Sequence, residues 1–199
     1  MGRAVCRPDP GGPGTAVNFR PSGLEGAFLI DIAPAEDERG FFARSWCARE
    51  AVRHGLNPDV VQCNISFNRK RGTMRGMHFQ APPFEEAKLV RCTRGAIHDV
   101  IVDLRDGSPT RAHHVAVVLS AEQRNAIYVP AGLAHGFLTL EDDTEVFYQM
   151  SAYHSSEHAR GFRWNDPAFG IPWPSDPSVI SDRDRGYADF SLRAGPERP

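Results

Sequence analysis

The stretch VPAGLAHGF, residues 129–137, decides the fold. Pro130 fixes its own φ and Gly132 accepts positive φ, so together they build a tight turn between apolar flanks. Beyond that turn His135 starts a new strand, and its ring is expected to point into an enclosed space. Working outward, the same punctuation recurs. From Gly26 onward, short apolar segments alternate with turn signals: AFLID, GFFARSW, VVQCNISF, GTMRGMHF, KLVRCT, AIHDVIVDL, HHVAVVL, AIYVP, AHGFLTL and EVFYQMS. Short segments so spaced predict an all-β sandwich or barrel. Arg94-Gly95 reads as a hairpin turn, and residues 68–71 as a second hairpin tip. Only Cys47 to His54 looks helical.

Composition bounds the rest. With 199 residues the chain can bury one ample core. Its 18 glycines and 16 prolines favour many turns over a helix bundle. Residues 1–20 have Pro and Gly punctuation and no periodic apolar face, which predicts a flexible N-terminal arm. A single domain is expected over residues 21–190, with a C-terminal tail at 191–199. Past Gly161 periodicity is lost, so an irregular segment should wrap the barrel.

The formal net charge is −2 with both signs dispersed, and the basic stripe of a nucleic-acid binder is missing. Cys6, Cys47, Cys63 and Cys92 are too widely spaced for a zinc ligand pair or a dense disulfide framework. Free thiols in a reducing cytoplasm are the expectation. The N-terminal stretch lacks the apolar run of a signal peptide, and no stretch is suited to spanning a membrane.

Chemistry concentrates in GTMRGMHFQ, residues 72–80, followed by Lys88 in AKLVR. His78 is a candidate base, because imidazole titrates near neutral pH and a carboxylate partner can orient it. Lysine and arginine nearby suit an anionic substrate. A regular strand would point Arg75 and His78 to opposite faces, so a bulge or bend near Gly76 is required.

VPAGLAHGF fits the second cupin motif, Pro-x-Gly-x-x-His, and the chain resembles a cupin-type jelly-roll barrel. Such a fold closes about eight strands over a small-ligand cavity. Metal-binding cupins carry a His-x-His pair and a nearby acid in their first motif. Here that place reads Met77-His78-Phe79-Gln80, and His113-His114 are adjacent residues that face opposite ways in a strand. No metal and no cofactor are therefore expected.

DERGFF at Asp37 to Phe42, MRGMHFQ, KLVR, VDLRDGSPT, VPAGLAHGF and RWNDPAFGIPWP occur in order, and together they resemble the dTDP-4-dehydrorhamnose 3,5-epimerase family. The resemblance covers about residues 24–190. It implies a metal-independent homodimer that inverts C3, C5 or both in a nucleotide-linked 4-keto-6-deoxyhexose. It also implies roles by position: His78 as base, Asp184 in SDRD as its carboxylate partner, Lys88 at the enolate oxygen, and Tyr148 as proton donor on the other face. Arg39, Arg75 and Arg183 become candidates for the diphosphate, Gln62 and Asn64 for nucleotide or sugar, and His135 for the cavity wall.

Three departures stand out. Arg44 occupies a place where better-known members carry Glu, and His154 one where they often have a second aromatic. One extra residue lies between Asn64 and His78. The reading set against an epimerase is a sugar-binding cupin without catalysis; a metal-dependent cupin dioxygenase or isomerase is the third.

Overall fold

The computed structural model describes residues 16–191. In chain order the strands are β1 (Val17–Pro21), β2 (Phe28–Ile32), β3 (Ala35–Asp37) and β4 (Gly40–Phe42). Helix α1 (Ala48–Arg53) follows, then β5 (Gln62–Asn68), β6 (Thr73–Gln80), β7 (Lys88–Arg94) and β8 (Ala96–Asp103). Next come β9 (His114–Ser120), β10 (Ala126–Val129), β11 (Leu133–Thr139) and β12 (Thr144–Met150). The chain closes with β13 (Ala159–Gly161), β14 (Val179–Ile180) and α2 (Asp182–Arg185).

Two sheets face each other. The first has the order β1-β2-β10-β7-β12-β5, and the second β13-β6-β11-β8-β9, with β14 added in parallel on β6. Every other pairing among the described residues is antiparallel, and β3 and β4 form a separate two-stranded hairpin. Between the sheets lies a core of Val90, Cys92, Ile97, Ile101, Leu119, Ile127, Phe137 and Val146. Each outer face is covered as well. Helix α1 and the segment after it press Ala51 and Leu56 onto Ile30, Leu89 and Tyr128 of the first sheet. Phe162, Phe169, Trp173 and Phe190 of the C-terminal segment cover Met77, Val100, Val102 and Ala134 of the second. With both faces sealed, β11 is buried along its whole length, which is why AHGFLTL reads as a continuous apolar run and not as an alternation.

The jelly-roll expectation holds, with corrections to the turns and the ends. Arg94-Gly95 is a turn, with Gly95 at φ +72, but it is not a hairpin. β7 and β8 belong to different sheets, so the turn carries the chain across the core. The turn after Asn68 does the same between β5 and β6. Tight turn chemistry fixes a reversal and leaves open which strand lies alongside; burial of both faces decides that here.

The arm expected over residues 1–20 falls mostly on residues 1–15, outside the described ones; from Val17 the chain is strand. Phe19 packs with Phe28 and Trp46 on the core that covers the first sheet, and the register runs Val17↔Ile32 to Pro21↔Phe28. Residues 192–199 of the tail also lie outside the described residues. Past Gly161, where the sequence reads as irregular, the structure adds β14 and α2, whose short lengths left no periodic signal. No helix among the described residues is long and apolar enough to cross a membrane.

Candidate active site

Strand β6 places the chemistry. Its ladder with β11 pairs His78 with His135 but Arg75 with Phe137, so three steps on β6 oppose two on β11. The extra residue is a bulge at Gly76, where φ is +131. A Cβ there would stand 2.5 Å from the Gly136 Cα, so both the dihedral and the space demand glycine. The bulge turns Arg75 and His78 to one side, and both line the same cavity.

That cavity, of about 240 Å³, sits between the sheets. Arg75, His78, His135 and Phe137 reach it from the second sheet, and Asn64, Ser66, Lys88, Tyr148 and Met150 from the first.

His78 Nε2 lies 2.7 Å from Asp184 Oδ1. A carboxylate can only accept, so Nε2 carries the hydrogen and Nδ1 keeps the lone pair. Asp184 arrives from α2, whose N-cap Ser181 accepts the Asp184 N–H at 3.1 Å. Its other oxygen accepts the Gly76 N–H at 3.3 Å, so one carboxylate ties His78 to the bulge that aims it. Burial works to raise the Asp184 carboxyl. The hydrogen bond and charge of His78, with the Gly76 amide and Ser181, outweigh it and hold the group below the usual carboxylate range. The His78 side chain is 42% exposed and that of Asp184 only 7%, so an anchored acid holds a ring that is open to solvent.

A second pair stands beside it. His135 Nε2 is 2.7 Å from Asp99 Oδ2, with both residues buried. The His135 ring meets Tyr148 edge-on at 5.9 Å. Burial, then the Asp99 charge, push the Tyr148 phenol well above its ordinary value, against the opposing effect of Arg75. Tyr148 therefore keeps its proton at neutral pH and can give it only to a strongly basic atom held close.

Lys88 Nζ lies 3.0 Å from Glu86 Oε1. Both line a second cavity of about 180 Å³ with Arg160, His154 and Arg183, and this space shares His78, Lys88 and Met150 with the first. Gln62 lines neither space, but it donates to Asn64 Oδ1 at 3.2 Å and accepts the His154 N–H at 3.2 Å, so it touches one residue of each.

One predicted residue is not brought in. Arg39 sits on the β3–β4 hairpin, 84% exposed and paired with Asp37, and lines neither cavity. Arg44, the departure at a family Glu position, bonds Glu50 at 3.3 Å beside α1 and also lines neither. No group of three or more His, Cys, Asp and Glu side chains suited to a metal ion occurs among the described residues.

Sequence reasoning missed Asp99 and Glu86. Asp99 alternates with Ile97 and Ile101, which belong to the core between the sheets, so an acid in phase with buried residues was the available signal. Glu86 stands two residues before Lys88, outside any strand, where no periodicity marks it.

Comparison with known proteins agrees with this geometry. A model of the dTDP-4-dehydrorhamnose 3,5-epimerase family matches residues 21–191. A dTDP-4-dehydrorhamnose 3,5-epimerase of Sinorhizobium fredii is 46% identical over 149 residues, 74% of this chain and 76% of that protein. The crystal structure of the Bacillus anthracis enzyme with TDP and PPi bound superposes with a TM-score of 0.84 at 39% identity, over 88% of this chain and all of that one (100%). The Legionella pneumophila enzyme in complex with dTDP-4-keto-L-rhamnose gives 0.82 at 32% identity, over 90% of this chain and 95% of that one. A bulged His–Asp site between two sheets and a match over nearly the whole described chain lead to one assignment: the protein belongs to the dTDP-4-dehydrorhamnose 3,5-epimerase family.

Proposed function

We propose that the protein epimerises a dTDP-linked 4-keto-6-deoxyhexose at carbons next to the C4 carbonyl. The observation that carries this reading is the opposition of the two walls: His78, backed by Asp184, comes from one sheet, and Lys88 and Tyr148 come from the other, onto a single cavity. His78 Nδ1 takes the proton from C3 or C5, and the electrons move into the carbonyl to give an enolate. The Lys88 ammonium stabilises its oxygen, an effect that is large where water is excluded. Tyr148 then delivers a proton to the opposite face of the same carbon, which inverts it. Asp184 keeps His78 in the tautomer that accepts at Nδ1 and stabilises the imidazolium that forms. The chemistry is complete with side chains alone.

Arg75 and Arg183 suit the diphosphate, because guanidinium forks pair with phosphate oxygens. Asn64 and Gln62 suit the sugar or base, and His135 shapes the wall. The nucleotide reading rests on TDP and the dTDP-sugar in the two related structures. Arg39 finds its role if the enzyme is a homodimer. β5 is an edge strand of the first sheet with Ile65 and Phe67 exposed, and the β3–β4 hairpin exposes Phe41 and Phe42. Such an apolar edge is a template for another chain, and a hairpin docked there would carry Arg39 to a neighbouring site. Cys47, Cys63 and Cys92 are free thiols, which suits work in a reducing cytoplasm.

The test is solvent exchange. Incubated in D₂O with dTDP-4-keto-6-deoxyglucose, the protein is expected to place deuterium at C3, C5 or both, read by NMR and mass spectrometry. Tight binding with no deuterium uptake would instead make it a sugar-nucleotide binding protein.

A further inference from the structure

The chain contains two lysines, Lys70 and Lys88. Lys70 is exposed in the turn before β6, whereas Lys88 stands in the wall shared by the two cavities. The Lys88 side chain is 9% exposed and that of Glu86 5%. Such a pair is not a stability device by default, since desolvating two charges offsets much of their attraction. Glu86 also leaves its second oxygen, Oε2, buried with no hydrogen-bond partner among the described residues, a further cost.

The surroundings make this acid stand out. The ionisable groups facing Lys88 in the first cavity are Arg75 and His78 from β6, His135 from β11 and Tyr148 from β12. In the second they are His154 from the connection between β12 and β13, Arg160 from β13 and Arg183 from α2. Among the described residues Glu86 is the one carboxylate lining either space. A cation-rich site fits a substrate with a diphosphate, and an acid within it repels that substrate. Its presence therefore needs a task, and its contact with Lys88 supplies one.

In general, burial and neighbouring guanidinium groups disfavour an ammonium and a carboxylate at hydrogen-bond distance favours one; Glu86 Oε1 stands 3.0 Å from Lys88 Nζ. Resting on the epimerase reading above, we infer that Glu86 is a positioning residue that keeps Lys88 protonated and fixes its Nζ at the cavity wall, so that the positive charge is in place before the enolate oxygen forms. A neutral amine would still fill the space but would bring no charge to the oxyanion.

Only two lysines make the test direct. Full-length protein labelled at lysine Nζ and Cε is titrated by NMR without substrate, as wild type, Glu86→Gln and Glu86→Ala, with Lys70 as internal reference. In both variants Lys88 is expected to lose its proton at least about one pH unit lower than in wild type, a roughly tenfold change in the proton equilibrium, while Lys70 is unmoved. The alkaline limb of the deuterium-exchange profile should move down by the same interval, with kcat falling more than KM changes. Identical Lys88 midpoints in wild type and both variants would overturn the inference. Because the titration needs no turnover, that result is separate from failure of the epimerase reading, which would show as absent exchange in wild type.

Discussion

His78 and His135 stand opposite each other in the β6–β11 ladder, and each has Nε2 2.7 Å from a carboxylate. They differ in what surrounds them. The His135–Asp99 pair is sealed between the sheets and joins adjacent strands β11 and β8. The His78–Asp184 pair opens on one side, and its acid comes from a helix 106 residues away. Equal geometry thus does two jobs. The sealed pair braces the wall against which Tyr148 rests, and the open pair leaves a basic nitrogen where a substrate can reach it. Proton transfer needs access as well as a partner, so at equal distances only the open pair is suited to it.

Substitutions should separate the two. His78→Ala is expected to lower deuterium exchange on the order of 10³-fold, while unfolding free energy changes by less than about 1 kcal/mol, because the ring is half exposed. A thermal melt beside the exchange assay checks both halves. Asp99→Ala should act mainly on stability. It strands a buried partner at a cost of about 3–5 kcal/mol, lowering Tm by roughly 6–20 °C for a chain of this size. A melt unchanged by Asp99→Ala would remove the distinction drawn between the pairs.

The smallest expected effect is that of Asp184 on stability. Its folded-state pKa lies below the ordinary value, so the stability it contributes is present above the usual Asp value of about 3.9 and is lost as pH falls through the lower folded value. Asp184→Asn should therefore flatten the decline of Tm as pH falls below about 5, and reduce exchange at neutral pH. An equally steep decline in the variant would show that other carboxylates carry it, with Asp103 the first to consider. Asp103 is fully buried and also held well below the usual range; burial opposes this, and hydrogen bonds from Arg105, Ser108 and Thr110 outweigh it.

These contrasts explain what the sequence could say. VPAGLAHGF announced its turn because Pro130 and Gly132 act locally, and it announced an inward His135 because strand alternation is local too. The need for a bulge at Gly76 followed from the odd spacing of Arg75 and His78. Nothing local could show that Gly95 carries the chain from one sheet to the other, since that choice depends on which faces become buried. The pairing of Asp184 with His78 was within reach only through resemblance, as SDRD by itself reads like a solvated charge cluster. Arg39 matched its motif yet sits on an exposed hairpin, because a motif records residue type and not the surface on which the fold presents it.

The strap formed by β14 and α2 has one more consequence. Every strand but β14, with the bulge, Lys88 and Tyr148, lies before residue 162, whereas the acid that bonds His78 lies at 184. Cleavage between residues 180 and 182 would therefore keep every strand on its chain while detaching from His78 the carboxylate it bonds.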